Sequence, residues 1–302
     1  MTPRSERRNG VKYISTPKGY IIVDENKPKE ISRWAQLVKT PKRYVMAMLL
    51  LLALLGAFNS SAFQGLGHLL LAVCSAAALD LGFSFAYKKK IQLPDGGIIT
   101  GLIIALVLST STPAWVTFCT VAVAILSKHL VKVKKKPIFN PAAFGLLFSL
   151  IVFSSGQSWW GSLSLLPVWL IVFVFVTGYL VTSKVNKFPQ VFAFLGVYFA
   201  VFTIMSLIGV GDVADALRAP FVNSALFLAF FMVTDPPTSP AKYKDQIKFG
   251  LLAGAISAVD YLVFGGLAYL LIGLLIANAW MHGRLQTKKQ QKKLPNDRQL
   301  FS

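Results

Sequence analysis

Three short polar motifs interrupt an otherwise apolar chain: Leu93-Pro-Asp-Gly-Gly97, Ile138-Phe-Asn-Pro-Ala-Ala-Phe144 and Met232-Val-Thr-Asp-Pro-Pro-Thr-Ser-Pro240. Each combines proline with residues that suit a helix start or stop. Asp95 can cap the helix that follows it, while Gly96 and Gly97 let another group approach closely. Asn140 suits an N-cap and Pro141 the first helical turn after it. Thr234 and Asp235 stand before two prolines, where a helix must end. Helix ends carry unpaired N–H and C=O groups, and N-termini attract anions or carbonyl oxygens. Asp95, Gly96, Asn140, Pro141, Thr234 and Asp235 are therefore candidate ligand-binding residues; helix capping alone is the competing explanation for all three motifs.

Two acids lie inside apolar runs. Asp80, in Ala78-Leu79-Asp80-Leu81, falls in the cytoplasmic half of a predicted span, and Asp260 towards the outer end of another. Ionisable groups at membrane depth are costly and mark ion pathways by default. Pairing of Asp80 with Lys88–Lys90, and solvation of Asp260 near the interface, are the explanations that need no function. Other chemistries are poorly supplied. Cys74 and Cys119 form no CxxC and read as small hydrophobes. His68, His129 and His282 make no axial pair for haem, and His129 beside Lys128 reads as interfacial charge. No GxGxxG or GxxxxGK[ST] is present and no loop has room for a Rossmann unit, so a nicotinamide must be oxidised by a partner. No metal site and no catalytic residue are expected.

The elements that position these residues are membrane spans. The 302 residues are 55% hydrophobic and 14% charged, well below the roughly 25% charge of soluble domains. Ten apolar segments are predicted: Tyr44–Ala62, Leu66–Tyr87, Gly96–Ser111, Trp115–Val131, Phe139–Phe153, Leu163–Val181, Gln190–Val210, Phe221–Thr234, Ile247–Phe264 and Gly266–Met281. Of the 31 Lys and Arg residues, only Arg218 falls on one set of connecting loops; the rest fall on the other set and the termini. By the positive-inside rule both termini are cytoplasmic. Charge spread over several short loops matches anionic lipid headgroups, not nucleic acid. Trp34, Trp115, Trp159, Trp160 and Trp280 fall near predicted interfaces, as an aromatic belt requires. Residues 1–43 show no signal-peptide pattern; they form a cytoplasmic segment with a short interfacial helix at 31–38. Residues 44–282 form the membrane domain, and 283–302 a basic tail, unstructured from Gln286.

The third span of each half is short. Gly96–Ser111 reaches about 24 Å and Phe221–Thr234 about 21 Å, against a hydrocarbon core of about 30 Å. Both follow a proline and both end in hydroxyl- and proline-rich sequence. Five spans is an odd number, so the half at 163–282 crosses in the opposite sense to that at 44–153. Short, Gly/Pro-interrupted segments at matching positions of inverted repeats point to a central binding site. The fold class is all-α: a polytopic membrane protein of about ten helices in two five-helix inverted repeats.

These residues carry a resemblance. "PDGG-x-x-TGL" at 94–102, "FNPAAFG" at 139–145 and "F-M-V-T-D-P-P-T-S-P" at 231–240 resemble the signature of the RnfD/NqrB family, and "K-T-P-K-R-Y" at 39–44 fits its shorter members. The likeness covers roughly residues 39–282. Members are membrane subunits of Rnf and Na⁺-translocating NADH:quinone oxidoreductase complexes, with an inverted-repeat fold resembling urea channels. The resemblance implies flavin-mediated electron transfer coupled to ion transport in the cell membrane, with a flavoprotein reductase or FMN-binding protein as partner. It also implies a riboflavin site near Asn140, and a family acid near Asp80.

One departure matters. Full-length members carry an S-G-A-T motif whose threonine holds FMN. Here the corresponding region reads Phe153-Ser-Ser-Gly-Gln-Ser-Trp-Trp-Gly-Ser162. No covalent FMN is expected; noncovalent riboflavin or FMN is the cofactor expectation. The departure leaves open a small-solute or flavin-precursor channel of the same fold without redox chemistry, and a purely structural anchor for a reductase complex.

Overall fold

A computed structural model describes residues 5–8, 11–16, 19–23, 40–58, 60–87, 93–133, 136–210, 213–266 and 268–291, with side chains over 40–58, 65–87, 93–133, 136–210, 213–266 and 268–284. The chain divides into two units, Met1–Lys39 and Thr40–Ser302. In the first, β1 (Ser5–Arg8), β2 (Val11–Thr16) and β3 (Gly19–Val23) form an antiparallel meander in the order β1-β2-β3. Sequence reasoning does not anticipate these strands. The helix expected at 31–38, and Trp34 with it, lie outside the described residues.

The second unit is helical, as its apolar runs require. Its helices are α1 (Pro41–Gly56), α2 (Ser60–Ala86), α3 (Asp95–Val107), α4 (Ala114–Leu130), α5 (Pro141–Phe153), α6 (Ile171–Val185), α7 (Phe188–Leu207), α8 (Phe221–Phe227), α9 (Tyr243–Phe264) and α10 (Tyr269–Gln291). A π-helical turn, Leu228–Met232, extends α8. A two-stranded ribbon, β4 (Lys132–Val133) and β5 (Lys136–Pro137), links α4 to α5. Each helix coincides with one of the ten predicted segments. Four stretches, Gly65–Ala86, Val168–Val185, Phe188–Leu207 and Tyr243–Phe264, are long and apolar enough to cross a bilayer, and several shorter apolar helices accompany them. The protein is an all-α, multi-pass membrane protein.

Boundaries differ where proline or glycine intervenes. Pro167 delays the sixth helix, so Leu163–Leu166 is not helical. The tenth helix continues to Gln291, so 286–291 is ordered helix where the sequence suggests an unstructured tail. Thr40 caps α1, accepting from the Arg43 backbone N–H at 3.4 Å, with Pro41 in the first turn.

The two short helices occupy the middle of the core. Every residue from Leu102 to Leu108 on α3 is buried, as is every residue from Asn223 to Thr234 on α8. Apolar helices buried on every side read as core. Close approach makes this possible: a Cβ on Gly101 would meet the Ala72 carbonyl oxygen at 2.7 Å, and one on Gly97 the Ala76 carbonyl oxygen at 3.0 Å. Small residues on α2 and α3 thus let two backbones touch, the packing favoured where no hydrophobic effect drives helices together.

The blunt ends of α3 and α8 lack water, so other segments supply partners, as buried irregular backbone requires. Beyond Val107 the chain turns extended and Leu108 pairs with Gln157. Ser158 and Trp159 donate backbone N–H groups to the Val107 carbonyl at 3.0 Å, and Trp160 Nε1 donates to the Ala105 carbonyl at 2.6 Å. Trp159 and Trp160 are accordingly 1% exposed. They are not belt residues, because their indoles close the end of α3. Trp115 and Trp280 are exposed, and so is Trp169. Cys74 is also exposed and Cys119 intermediate, so Cys74 is not the buried small hydrophobe expected.

Candidate functional site

The three polar motifs are separated by some 140 residues, and the fold brings them together around one cavity of about 710 Å³. Asp95 and Gly96 enter from the start of α3, Asn140 and Pro141 from the start of α5, and Thr234 and Asp235 from beyond α8. Asp80 joins them from α2 and Lys128 from α4. Val45, Ile99, Ile103 and Phe231 form apolar walls, and Lys42 and Lys136 contribute ammonium groups. Asp260 is elsewhere: it lines a separate groove of about 260 Å³ with Val259, Val263, Ile272 and Ile276. The structure does not connect Asp260 to the cavity.

Each motif has a definite local role. Asn140 is the N-cap of α5, its Oδ1 accepting from the Ala143 N–H at 3.1 Å, with Pro141 at the first helical position. Its Nδ2 donates to the Met232 carbonyl at 3.3 Å, closing the orphan end of α8. Asp95 does not cap α3. It is the first helical residue; Pro94 holds the cap position and offers no side-chain acceptor. The Asp95 carboxylate instead faces the helix N-terminus, where negative charge is favoured, and lies 3.9 Å from Arg43 Nε. Gly96 makes room for Lys128, whose Nζ would lie 3.0 Å from a Cβ there; a Cβ on Gly97 would meet that of Asp80 at 2.8 Å. The Thr234 hydroxyl donates to the Phe230 carbonyl at 2.6 Å, leaving its oxygen as an acceptor only.

Asp80 does not depend on Lys88–Lys90, which lie outside the described residues. Lys128 Nζ donates to both its oxygens, at 2.9 and 2.8 Å, and His129 Nε2 lies 2.7 Å from Oδ1. His129 is therefore no interfacial charge: it is 7% exposed, with its ring stacked on Phe83 at 4.6 Å and 14°. A helix that places Lys128 and His129 side by side over one carboxylate makes a buried charge cluster in the cavity wall.

The Thr-Asp-Pro-Pro-Thr-Ser-Pro loop is held from behind, carbonyl by carbonyl. Gln190 Nε2 donates to the Val233 carbonyl at 2.7 Å, Asn278 Nδ2 to Thr238 at 3.0 Å, and Gln246 Nε2 to Ala241 at 3.1 Å. Lys187 Nζ donates to the Pro240 carbonyl. Asn278 also accepts the Asn140 backbone N–H at 2.9 Å, so one amide ties two motifs. Two prolines leave this loop few N–H donors of its own, so its carbonyls must be satisfied by side chains. Sequence reasoning missed Lys128, Lys187, Gln190, Gln246 and Asn278. The available signal was polar residues, above all Gln190 and Asn278, recurring within apolar helices.

Charge here is shifted by burial. Burial pushes the Asp235 carboxyl above the ordinary carboxylate value, against the Thr238 hydrogen bond at 2.7 Å and the pull of Lys128, Lys42 and Lys187. Burial pulls the Lys187 ammonium down to about 8 from 10.5, opposed by Asp235 and helped by Lys136. A lysine whose folded value is depressed binds its proton more weakly in the folded state. Below pH 8 both states are protonated and the burial penalty is present in full. Between pH 8 and 10.5 only the unfolded state keeps the proton, so stability rises with pH. Relative to Lys187→Met, the wild type is expected to gain on the order of 3 kcal/mol across that window. Melting temperatures of both proteins in detergent from pH 7 to 10.5 check this, because titrations common to both cancel in the difference.

Comparison with known proteins agrees with this geometry. The D-type subunit of the ion-translocating oxidoreductase complex from Methanosarcina acetivorans is 23% identical over 235 residues, covering 72% of this chain and 79% of that protein. The protein of the same name from Actinobacillus succinogenes is 34% identical over 102 residues, covering 30% of this chain and 28% of that one. The family model described as NQR2, RnfD, RnfE family matches residues 32–164 and 162–281, which include all three motifs and every helix that lines the cavity. A match over both halves of the membrane unit settles the assignment: the chain belongs to the NQR2, RnfD, RnfE family.

Proposed function

We propose that the chain is a membrane subunit of an ion-translocating oxidoreductase complex, that its cavity holds a noncovalent flavin, and that Asp80 belongs to an ion path. The supporting observation is the convergence of three distant motifs and a buried carboxylate on one cavity. Both relatives are named as membrane-complex components of this kind, each a subunit of an ion-translocating oxidoreductase. On this reading the ten helices are ten spans of the cell membrane with both termini inside. The packing is consistent with inverted repeats: α4 lies against α2 and α5, α9 against α7 and α10, while α1 packs on α3 and α6 on α8. Partners are a flavoprotein reductase or FMN-binding subunit, with anionic lipids around the basic loops.

The residues present fit a flavin. The cavity volume falls within the ~300–1,000 Å³ of small-molecule sites, and its walls are apolar with few polar groups. Asn140 spends one N–H on Met232 and keeps one; Thr234 keeps an acceptor oxygen; Lys42, Lys136 and Asp95 stand at the wall. These groups would hold the polar edge of the ring system, and Ile99, Ile103 and Phe231 its faces. Such a group, when bound, supplies one- and two-electron chemistry. The segment 155–162, where the family attaches FMN covalently, is folded here against α3, and Ser162 is fully buried. That placement supports the absence of a covalent flavin.

The test is a flavin assay on protein purified in mild detergent: acid extraction, chromatography and fluorescence, quantified per chain. Close to one riboflavin or FMN, released without covalent cleavage, is expected. A folded chain free of flavin overturns the flavin assignment.

A further inference from the structure

We infer that the ion exchanged at Asp80 is a proton, carried between His129 and Asp80, and not an alkali cation. The inference rests on the ion-path reading of Asp80 and names the ion. Hard cations are bound by bare oxygen ligands. Both Asp80 oxygens are already engaged by nitrogen: Lys128 reaches both at 2.9 and 2.8 Å, and His129 lies 2.7 Å from one. A sodium ion would have to displace an ammonium tethered to the neighbouring helix. Nor is another oxygen cage at hand, since no group of three or more His, Cys, Asp or Glu among the described residues is placed to hold a metal ion. What is at hand is an imidazole, the side chain whose ordinary charge change falls between about pH 5 and 8.

The surroundings suit a proton site. Phe83 covers one face of the His129 ring, with Tyr87 beyond at 6.4 Å and Lys132 over the Tyr87 ring at 4.8 Å. Facing the pair are Asp80 and Tyr87 on α2, Lys128 and Lys132 on its own side, and Asp95 and Asp235 across the cavity. Lys128 holds the carboxylate charged while His129 gains or loses its proton, so the cluster steps between net charges of +1 and zero. One proton is added to the ring and one leaves, with Asp80 Oδ1 as its acceptor on the cavity side; only N–H and O–H bonds form or break.

The experiment is a titration of histidine-labelled full-length protein in lipid nanodiscs by NMR, from about pH 5 to pH 9. It is run in sodium chloride and in choline chloride at equal ionic strength, with His129→Gln assigning the signal. The expected result is a His129 curve that is the same in both salts, and that moves to lower pH in Asp80→Asn, as loss of an anionic partner requires. A curve that shifts with sodium overturns the inference, as does a His129 ring that does not titrate. The two-salt comparison needs no variant, so a poorly folded Asp80→Asn protein does not spare it. The underlying reading is tested separately: if Asp80→Asn leaves ion-coupled flux of the assembled complex unchanged, the ion path fails while the titration stands.

Discussion

Replacing Asp80 with alanine is expected to destabilise the folded protein by about 3–5 kcal/mol, the cost of breaking a buried ion pair from one side. The Asp80 side chain is 10% exposed, that of Lys128 21% and that of His129 8%, so the cations left behind have little access to bulk water. The loss arises less from the missing attraction than from an ammonium that keeps its desolvation penalty without a partner. Removing that ammonium as well should restore most of the stability, because replacing a whole buried pair by apolar groups is often neutral. Lys128→Met alone should therefore be destabilising, and Asp80→Ala with Lys128→Met closer to the wild type than either single change. Thermal unfolding of the four proteins in one detergent gives the cycle. An Asp80→Ala loss below about 1 kcal/mol, the value of an exposed pair, would mean that cavity water hydrates Lys128.

The second large effect is expected at Asn278. Asn278→Leu keeps the volume of the side chain but removes an acceptor from the Asn140 N–H and a donor from the Thr238 carbonyl. Both groups are buried, and each unsatisfied buried group costs about 1–3 kcal/mol, so the variant should lose about 2–5 kcal/mol. The damage should be local as well as global. Amide exchange in residues 232–241 is expected to quicken, since that loop borrows its partners from Asn140, Gln190, Gln246, Lys187 and Asn278. Unchanged stability with unchanged exchange would show that the amide network is not what shapes the cavity wall.

The contrast between Asn140 and Asn278 shows what local sequence can and cannot reveal. Asn140 precedes proline at a helix start, so its N-cap role follows from the neighbouring residues. Asn278 sits in the middle of an apolar helix, and its two partners lie 138 and 40 residues away. His129 misleads for the same reason. Beside Lys128 near a loop it reads as surface charge, yet the turn of α4 places both on Asp80 of α2. Trp159 and Trp160 follow the pattern: in sequence they belong to a polar outer loop, and in space they close the carbonyl end of α3.

The sequence by itself determined the helical class, the ten apolar segments, the shortness of the third and eighth, and the motifs worth watching. Those features depend on residue type and spacing within one helix or turn, where period, proline and glycine act locally. Only the tertiary structure decided that the three motifs share one cavity, that Asp80 is paired and Asp260 stands apart, and that a ring of side-chain amides supports the Asp-Pro-Pro loop. The physical reason is that buried polar groups must find partners, and a proline-rich loop at the end of a half-helix finds them on other helices. Those partners are chosen by packing, which lets backbones touch at Gly97 and Gly101 and so sets which side chains can reach.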